Sequence, residues 1–382
     1  MRLLVCALLL CCLTACARRE PAVVRATFPD RPVTVWIDSA WMRGELAEAT
    51  QAALVMQELR DAGVTSVGFE AIDWQGASTE SIRAPLRSIA ESAGLEVAAI
   101  LPCFTPRVDD PPEALSQYAR WTGDAWSVEA MVPSRLSPVH AIGQQRLLDQ
   151  LAGLTESTVI LAGFGFEDST ADVGPAARLE FERWSAFANR SWPDDVLGVA
   201  PTRLPWGPEG RGPRWEAWTT WRADVLSKLL FRVRTSMPGN ARLVLLVDAP
   251  FQVHQRMGVN WAAPTPQMLA DHPWLPREYA ATSVSHLLDA VALGFWAPEL
   301  VRRTDAIESD HAWWASIEGS ASASTRLVVP GTRLWTAVPV DGDEWDKRIA
   351  AARSPGGGVL IIGLAGKIRG ARDWARLAEA LR

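Results

Sequence analysis

Cysteine, metal-ligand histidine spacing and basic stretches are what this chain has least of. Four of its five cysteines, Cys6, Cys11, Cys12 and Cys16, fall in the first 16 residues, and only Cys103 lies beyond them. A single thiol forms no intrachain disulfide, so the fold has to be held by its core. The five histidines, at 140, 254, 272, 286 and 311, show neither HxxxH nor HxH spacing, so no metal site is expected. No GxSxG nucleophile elbow occurs, and Cys103 has no evident histidine partner. A glycine fingerprint after the first strand is also missing, which argues against a dinucleotide, and no cofactor is expected. The formal charge of −6 excludes the basic stripe that nucleic-acid binding requires. After the first 16 residues no run is apolar enough to cross a bilayer.

What the sequence does have begins at its amino end. Met1 and Arg2 precede an apolar run of 11 residues, Leu3 to Leu13, shorter than the roughly 20 residues a spanning helix needs but suited to a signal-peptide core. The run leads into Leu13-Thr14-Ala15-Cys16, which resembles the lipobox of bacterial lipoproteins. That resemblance implies cleavage before Cys16, a lipid on the new amino-terminal cysteine and, with Ala17 following, an outer-membrane address where the cell has one. An ordinary secretory signal containing a cysteine is the alternative. The expected organisation is a signal peptide over residues 1–15, a polar tether over 16–31 with Arg18, Arg19, Glu20 and Pro21, and one domain over 32–382. Such a protein sits at the bacterial cell envelope, attached to the lipid bilayer through acylated Cys16, and is expected to be a monomer. Loss of Arg2 with the signal takes the charge from −6 to −7.

Hydrophobic periodicity then alternates between strand and helix. Strands are expected over 33–37, 64–69, 95–101, 158–166, 242–247, 292–296, 326–329 and 359–364. Helices are expected over 46–62, 78–93, 137–151 (with Pro138 in its first turn), 175–188, 213–235, 282–291, 305–316, 344–353 and 372–381. Eight βα units of about 40 residues each are the count for a closed (β/α)8 TIM barrel, with a doubly wound open sheet as the other candidate. The loops after the third, fourth and fifth strands are far longer than those before strands, which favours a barrel with long loops on its carboxyl rim.

Barrel enzymes carry their chemistry on that rim. The expected strand ends place Asp38, Glu70, Glu167-Asp168 and Asp248 there together. Hydrolysis of a glycosidic bond needs two carboxyl groups across it, so Asp168 is the first candidate, with Asp248 or Glu167 as partner. Asp38 and Glu70 are candidates for binding hydroxyls or for raising a neighbour's pKa by like charge. The alternative is that Asp168 caps a turn and Glu167 is merely solvated. Nineteen tryptophans stand against two tyrosines and ten phenylalanines. Trp74, Trp121, Trp126, Trp192, Trp206, Trp261 and Trp274 fall in the long loops, where flat indole faces suit sugar rings. Trp36, Trp184, Trp218 and Trp221, inside strands or helices, are expected in the core.

Val33-Thr-Val-Trp-Ile-Asp-Ser39, Gly163-Phe-Gly-Phe-Glu-Asp-Ser169 and the Trp218 to Arg234 helix together resemble the family-10-like glycosyl hydrolases, barrel proteins often found as lipoproteins. Ser134-Arg-Leu-Ser-Pro138, Val259-Asn-Trp261 and Gly294-Phe-Trp296 sit in the order of that family, and the likeness covers about residues 33–300. It implies a lipid-anchored hydrolase of a cell-envelope or extracellular polysaccharide, peptidoglycan strands included, with Trp74, Trp261 and Trp296 beside Asp38 and Glu70 in binding substrate. Glu70 and Glu167 depart from the residues that family has there, and the expected seventh strand runs into Val329-Pro330-Gly331 without an acid. Both features support a different class of function, a non-catalytic glycan-binding or scaffold lipoprotein on the same barrel.

Overall fold

A computed structural model of the chain describes residues 31–73, 75–130, 135–167, 170–188, 190–200, 210–247, 257–294, 327–340, 343–353, 357–368 and 370–382. Among the described residues, ten strands run in chain order: β1 Val33–Ile37, β2 Ser66–Glu70, β3 Glu96–Pro102, β4 Gln117–Trp121, β5 Trp126–Ala130, β6 Thr158–Ala162, β7 Arg242–Val247, β8 Ala290–Leu293, β9 Arg333–Pro339 and β10 Gly358–Ile362. Eight of them close a parallel barrel in the order β1-β2-β3-β6-β7-β8-β9-β10, with β10 hydrogen-bonded back to β1. The remaining two, β4 and β5, form an antiparallel hairpin. The fold is therefore the (β/α)8 TIM barrel, and the doubly wound sheet is excluded because the ring has no open edge.

Helices lie between the strands. Among the described residues the α-helices are α1 Ser39–Arg43, α2 Ala49–Asp61, α3 Glu80–Ser92, α4 Ala141–Ala152, α5 Pro175–Ser185, α6 Asp194–Leu197, α7 Trp215–Ser236, α8 Pro266–Asp271, α9 Trp345–Arg353 and α10 Ala371–Ala380. In α7 Leu226, Leu229, Leu230 and Val233, spaced by three and four, are buried with Val159, Leu161 and Leu243 of the sheet, while Trp218 and Trp221 are buried against Phe181 and Val196. Trp218 and Trp221 are core, as expected; Trp184 is not, since 40% of it is exposed.

Sequence expectations fail where local turn chemistry overrides apolar pattern. The strand expected over 158–166 stops at Ala162, because Gly163 and Gly165 take positive φ of 66° and 155°, where only glycine is comfortable. The fourth helix starts at Ala141 rather than 137, with His140 accepting the Ile142 amide as its cap. The segment 282–291 forms 3₁₀ turns and then β8, since one buried turn satisfies its polar groups locally. The expected seventh strand at 326–329 is displaced to β9, which ends at Pro339; Asp341 follows two residues later. Val329-Pro330-Gly331 therefore precedes this strand rather than ending it. The loop after β3 also holds the β4–β5 hairpin, and the helix expected over 305–316 lies outside the described residues.

Inside the ring the side chains form layers. Ala98, Ile100, Ile160, Val244, Ala290 and Leu360 fill the middle. At the amino end the filling is polar: Arg242 donates to Glu96 at 2.7 Å and to Thr158 at 2.9 Å, and Thr34 and Ser66 share a 2.6 Å hydrogen bond. Trp335 lies in the same interior with 3% exposure. It fits only because Gly358 on β10 has no side chain, since a Cβ there would stand 2.7 Å from the indole. Gly358→Ala should accordingly cost about 1–3 kcal/mol by overpacking, read as a lower midpoint in urea unfolding; an unchanged midpoint would mean that the lower barrel is loosely filled.

Candidate active site

The alternation of each strand decides which residues face the barrel mouth. Trp36 and Ile362 pack against the interior filling at the carboxyl ends of β1 and β10, and both are half-buried. Register sets Trp36 beside Gly68 on β2, two residues before Glu70, so Glu70 points to the same side of the sheet as Gly68. Pro102 and Ala162, paired across β3 and β6, continue this ring. The mouth is thus floored by one large aromatic ring and a single carboxyl group from β1 and β2, among mostly apolar neighbours.

That carboxyl is tightly held. Glu70 Oε1 accepts the Trp36 indole N–H at 3.1 Å, and Oε2 accepts the backbone N–H of Ser39 at 2.8 Å. Asp38 is the N-cap of α1, where it accepts the Trp41 amide at 2.7 Å. The two acids therefore sit together on the free amides that open this short helix. Burial pushes the Glu70 pKa above its ordinary 4.5; the Ser39 and Trp36 hydrogen bonds oppose this, and the nearby Asp38 charge adds to it. A second tie fixes the same helix: Arg43 donates to Asp73, in the loop after β2, at 2.5 Å.

The loop after β6 is organised by Arg135, which the Ser134–Pro138 stretch contains but to which no role is given from sequence. Arg135 donates to the backbone oxygens of Gly163 and Gly165, the latter at 3.0 Å, and pairs with Glu167 at 2.7 Å. Its guanidinium also lies 5.5 Å from the Phe104 ring centre. Glu167 itself is half-exposed in this ion pair. The same loop is fastened from behind, where Phe166 donates its amide to Met257 at 2.8 Å and Ala119 of the hairpin donates to Thr170 at 2.9 Å. Gly165 and Gly258 are required here, because a Cβ on either would press against the facing backbone or the Phe166 ring. Asp172, also not singled out from sequence, is buried beside Ser137, Ser116 and Arg222 at a φ of 59°, and burial raises its pKa. Its only sequence signal was its place four residues after Asp168.

The candidates are therefore divided. Asp38, Glu70 and Trp36 come together at the mouth, and Glu167 stands on the rim in its pair with Arg135. Trp261 is a correction. It is fully buried in the main core cluster, where the loop after β7 folds back on Val259 and Tyr279, so its ring offers no face to a substrate. Trp36, expected in the core, packs against the interior filling but is only half-buried. Asp168, Asp248, Trp74, Trp296 and Cys16 lie outside the described residues. Cys103 is buried, and burial pushes its thiol up to about 12, which leaves it no nucleophile at neutral pH.

Two outcomes follow from this geometry. A Glu70 carboxyl that titrates above 4.5 binds its proton more tightly folded than unfolded, so its contribution to stability falls as pH rises through that window. Asp38→Asn, which keeps the cap, should lower the Glu70 midpoint in a carboxyl NMR titration; an unmoved midpoint would separate the two acids. Arg135→Ala should cost about 2 kcal/mol through its charge-assisted bonds and speed amide exchange in residues 163–167, whereas unchanged exchange would show that the glycines hold the loop unaided.

No family model matches the chain, and no curated protein matches it. Solved structures do. The glycoside hydrolase domain of PgaB (BpsB) from Bordetella bronchiseptica is 15% identical, with 92% of this chain covering 97% of that one at a TM-score of 0.57. The catalytic domain of the β-amylase from Paenibacillus polymyxa is 12% identical, with 93% of this chain covering all of that domain at a TM-score of 0.53. At these identities the likeness is one of fold, and the fold is a TIM barrel of the kind found in glycoside hydrolases.

Proposed function

We propose that this protein is a lipid-anchored glycoside hydrolase of a cell-envelope or extracellular polysaccharide, of the family-10-like kind. The observation that carries the reading is the mouth of the barrel. There a half-buried indole and a half-buried carboxyl lie at the ends of β1 and β2, and in the sequence Glu167-Asp168 and Asp248 follow the ends of β6 and β7. An aromatic face with acids around it suits a sugar ring and the bond beside it. The fold likeness to glycoside hydrolase domains supports the same class.

Of the acids, three have other work. Asp38 caps α1, Glu70 holds Trp36 and Ser39, and Glu167 pairs with Arg135. In this reading the chemistry falls to Asp168 and Asp248, one as proton donor and the other as nucleophile or base, with Glu167 setting the loop that carries Asp168. The same engagement of three acids is what favours a second reading, a glycan-binding protein on a barrel that no longer cleaves. The lipid anchor rests on the apolar run ending in Leu13-Thr14-Ala15-Cys16, and an envelope location would set the protein beside peptidoglycan.

Release of reducing ends from purified peptidoglycan sacculi and a panel of β-glucans decides between the two. The full-length protein should release them, and Asp168→Asn should lower kcat by at least about a hundredfold, as loss of a catalytic acid or base does. Full activity in Asp168→Asn would refute the assignment, and retention on the glycan without turnover in either protein would favour the binding reading.

A further inference from the structure

We propose that Trp36 is the stacking platform for one sugar ring at the bottom of the barrel mouth, and that Glu70 is a positioning residue that acts through it. The inference rests on the glycan reading above and changes the role of Glu70 within it, from a group that binds substrate hydroxyls to one that fixes the aromatic floor.

Three observations carry it. Among the described residues, Trp36 and Trp335 are the tryptophans on inward strand positions; Trp335 is sealed toward the amino end at 3% exposure, while Trp36, one residue before the end of β1, is only half-buried. An inward side chain at the carboxyl end of β1 meets solvent through the mouth. Second, the one polar atom of the indole is already satisfied, since Nε1 donates to Glu70 at 3.1 Å. The ring therefore needs no further hydrogen bond, and what it offers is a flat apolar face, the part of indole that matches the C–H face of a pyranose. Third, Glu70 is fixed at its other oxygen by the Ser39 amide at 2.8 Å, and the α1 helix that supplies this amide is tied down again by Asp38 and by the Arg43–Asp73 pair. With both oxygens taken by protein donors, Glu70 is built to hold the indole edge still, and a preformed face costs less to bind than one that must be ordered.

Gly68, the β2 partner of Trp36, presents no side chain; the space a Cβ would take is filled by Ile100, 2.6 Å from that position, so the floor beneath the indole is closed by an aliphatic side chain, with Glu70 one alternation beyond Gly68.

The test is fluorine NMR on the full-length protein labelled with fluorotryptophan. The Trp36 resonance is identified by its loss in Trp36→Phe, or in Trp36→Tyr if the first variant does not fold. The probes are hexamers of β-linked glucose and of β-linked N-acetylglucosamine, together with any glycan the protein cleaves. At least one should shift this resonance, and Trp36→Phe should raise its Kd or KM roughly tenfold while kcat stays within about twofold. Glu70→Gln should move the Trp36 resonance in the free protein and raise KM several-fold with little change in kcat, because the indole edge is released. A Trp36 signal unmoved by every glycan overturns the platform, and a Glu70→Gln change confined to kcat overturns the positioning role. Turnover with a silent Trp36 would sink this inference and leave the hydrolase standing; a moving Trp36 without turnover would do the reverse.

Discussion

Closure of the ring is the constraint on which the rest depends. β1 pairs with β2 on one side and β10 on the other, so Val33, Thr34 and Val35 complete a sheet with no edge. A closed parallel sheet leaves each strand only two directions, inward to the filling or outward to the helices. Inward positions at the carboxyl ends then converge on one opening, whatever residues occupy them. Trp36, Glu70 and Pro102 are far apart in sequence and meet because closure permits nothing else. The polar filling at the other end, with Arg242 bonded to Glu96 and Thr158, occupies the amino end of the same interior.

Function is placed on this frame by loops that are themselves braced. α1 is held by two acids and an ion pair, and the loop after β6 by one arginine and two glycine contacts. Each brace spends a charged group on geometry. Asp38, Glu70 and Glu167 are all engaged in this bracing, by the Trp41 amide, by Ser39 and Trp36, and by Arg135. Glu70, which reads in sequence as a strand-end carboxylate, thus has its two oxygens taken by Trp36 and Ser39.

Much of the fold was legible in the sequence because burial imposes a period. Val33-Thr-Val-Trp-Ile37 and Arg242 to Val247 read as strands at nearly their observed bounds, and the Leu226 to Val233 stripe reads as one helix face. The failures share a cause. Gly163 and Gly165 ended a strand whose apolar pattern ran on, and the compact 3₁₀ turns before β8 satisfy backbone groups in a way no periodicity signals. The strand at 333–339 carries Arg, Trp, Thr and Pro, a weaker apolar run than the 326–329 segment chosen in its stead. At the site, the acids of β1 and β2 could be named from their strand ends, but their partners could not. Whether an indole lies in the core or at a mouth depends on tertiary position, so the full burial of Trp261 and the half-buried place of Trp36 at the mouth leave no local signal. Arg135 and Asp172 receive no role from sequence because a salt bridge across 32 residues and a buried loop carboxylate leave no local pattern.

The central claim is that the carboxyl mouth above Trp36 is where a glycan lies. The most direct measurement is a crystal structure of Asp168→Asn soaked with an oligosaccharide that the protein binds or cleaves. The account predicts a sugar ring stacked on the Trp36 face, with Glu70 still bonded to the indole and to Ser39. Clear density for the glycan elsewhere, on the β4–β5 hairpin or outside the helices with the mouth empty, would contradict it.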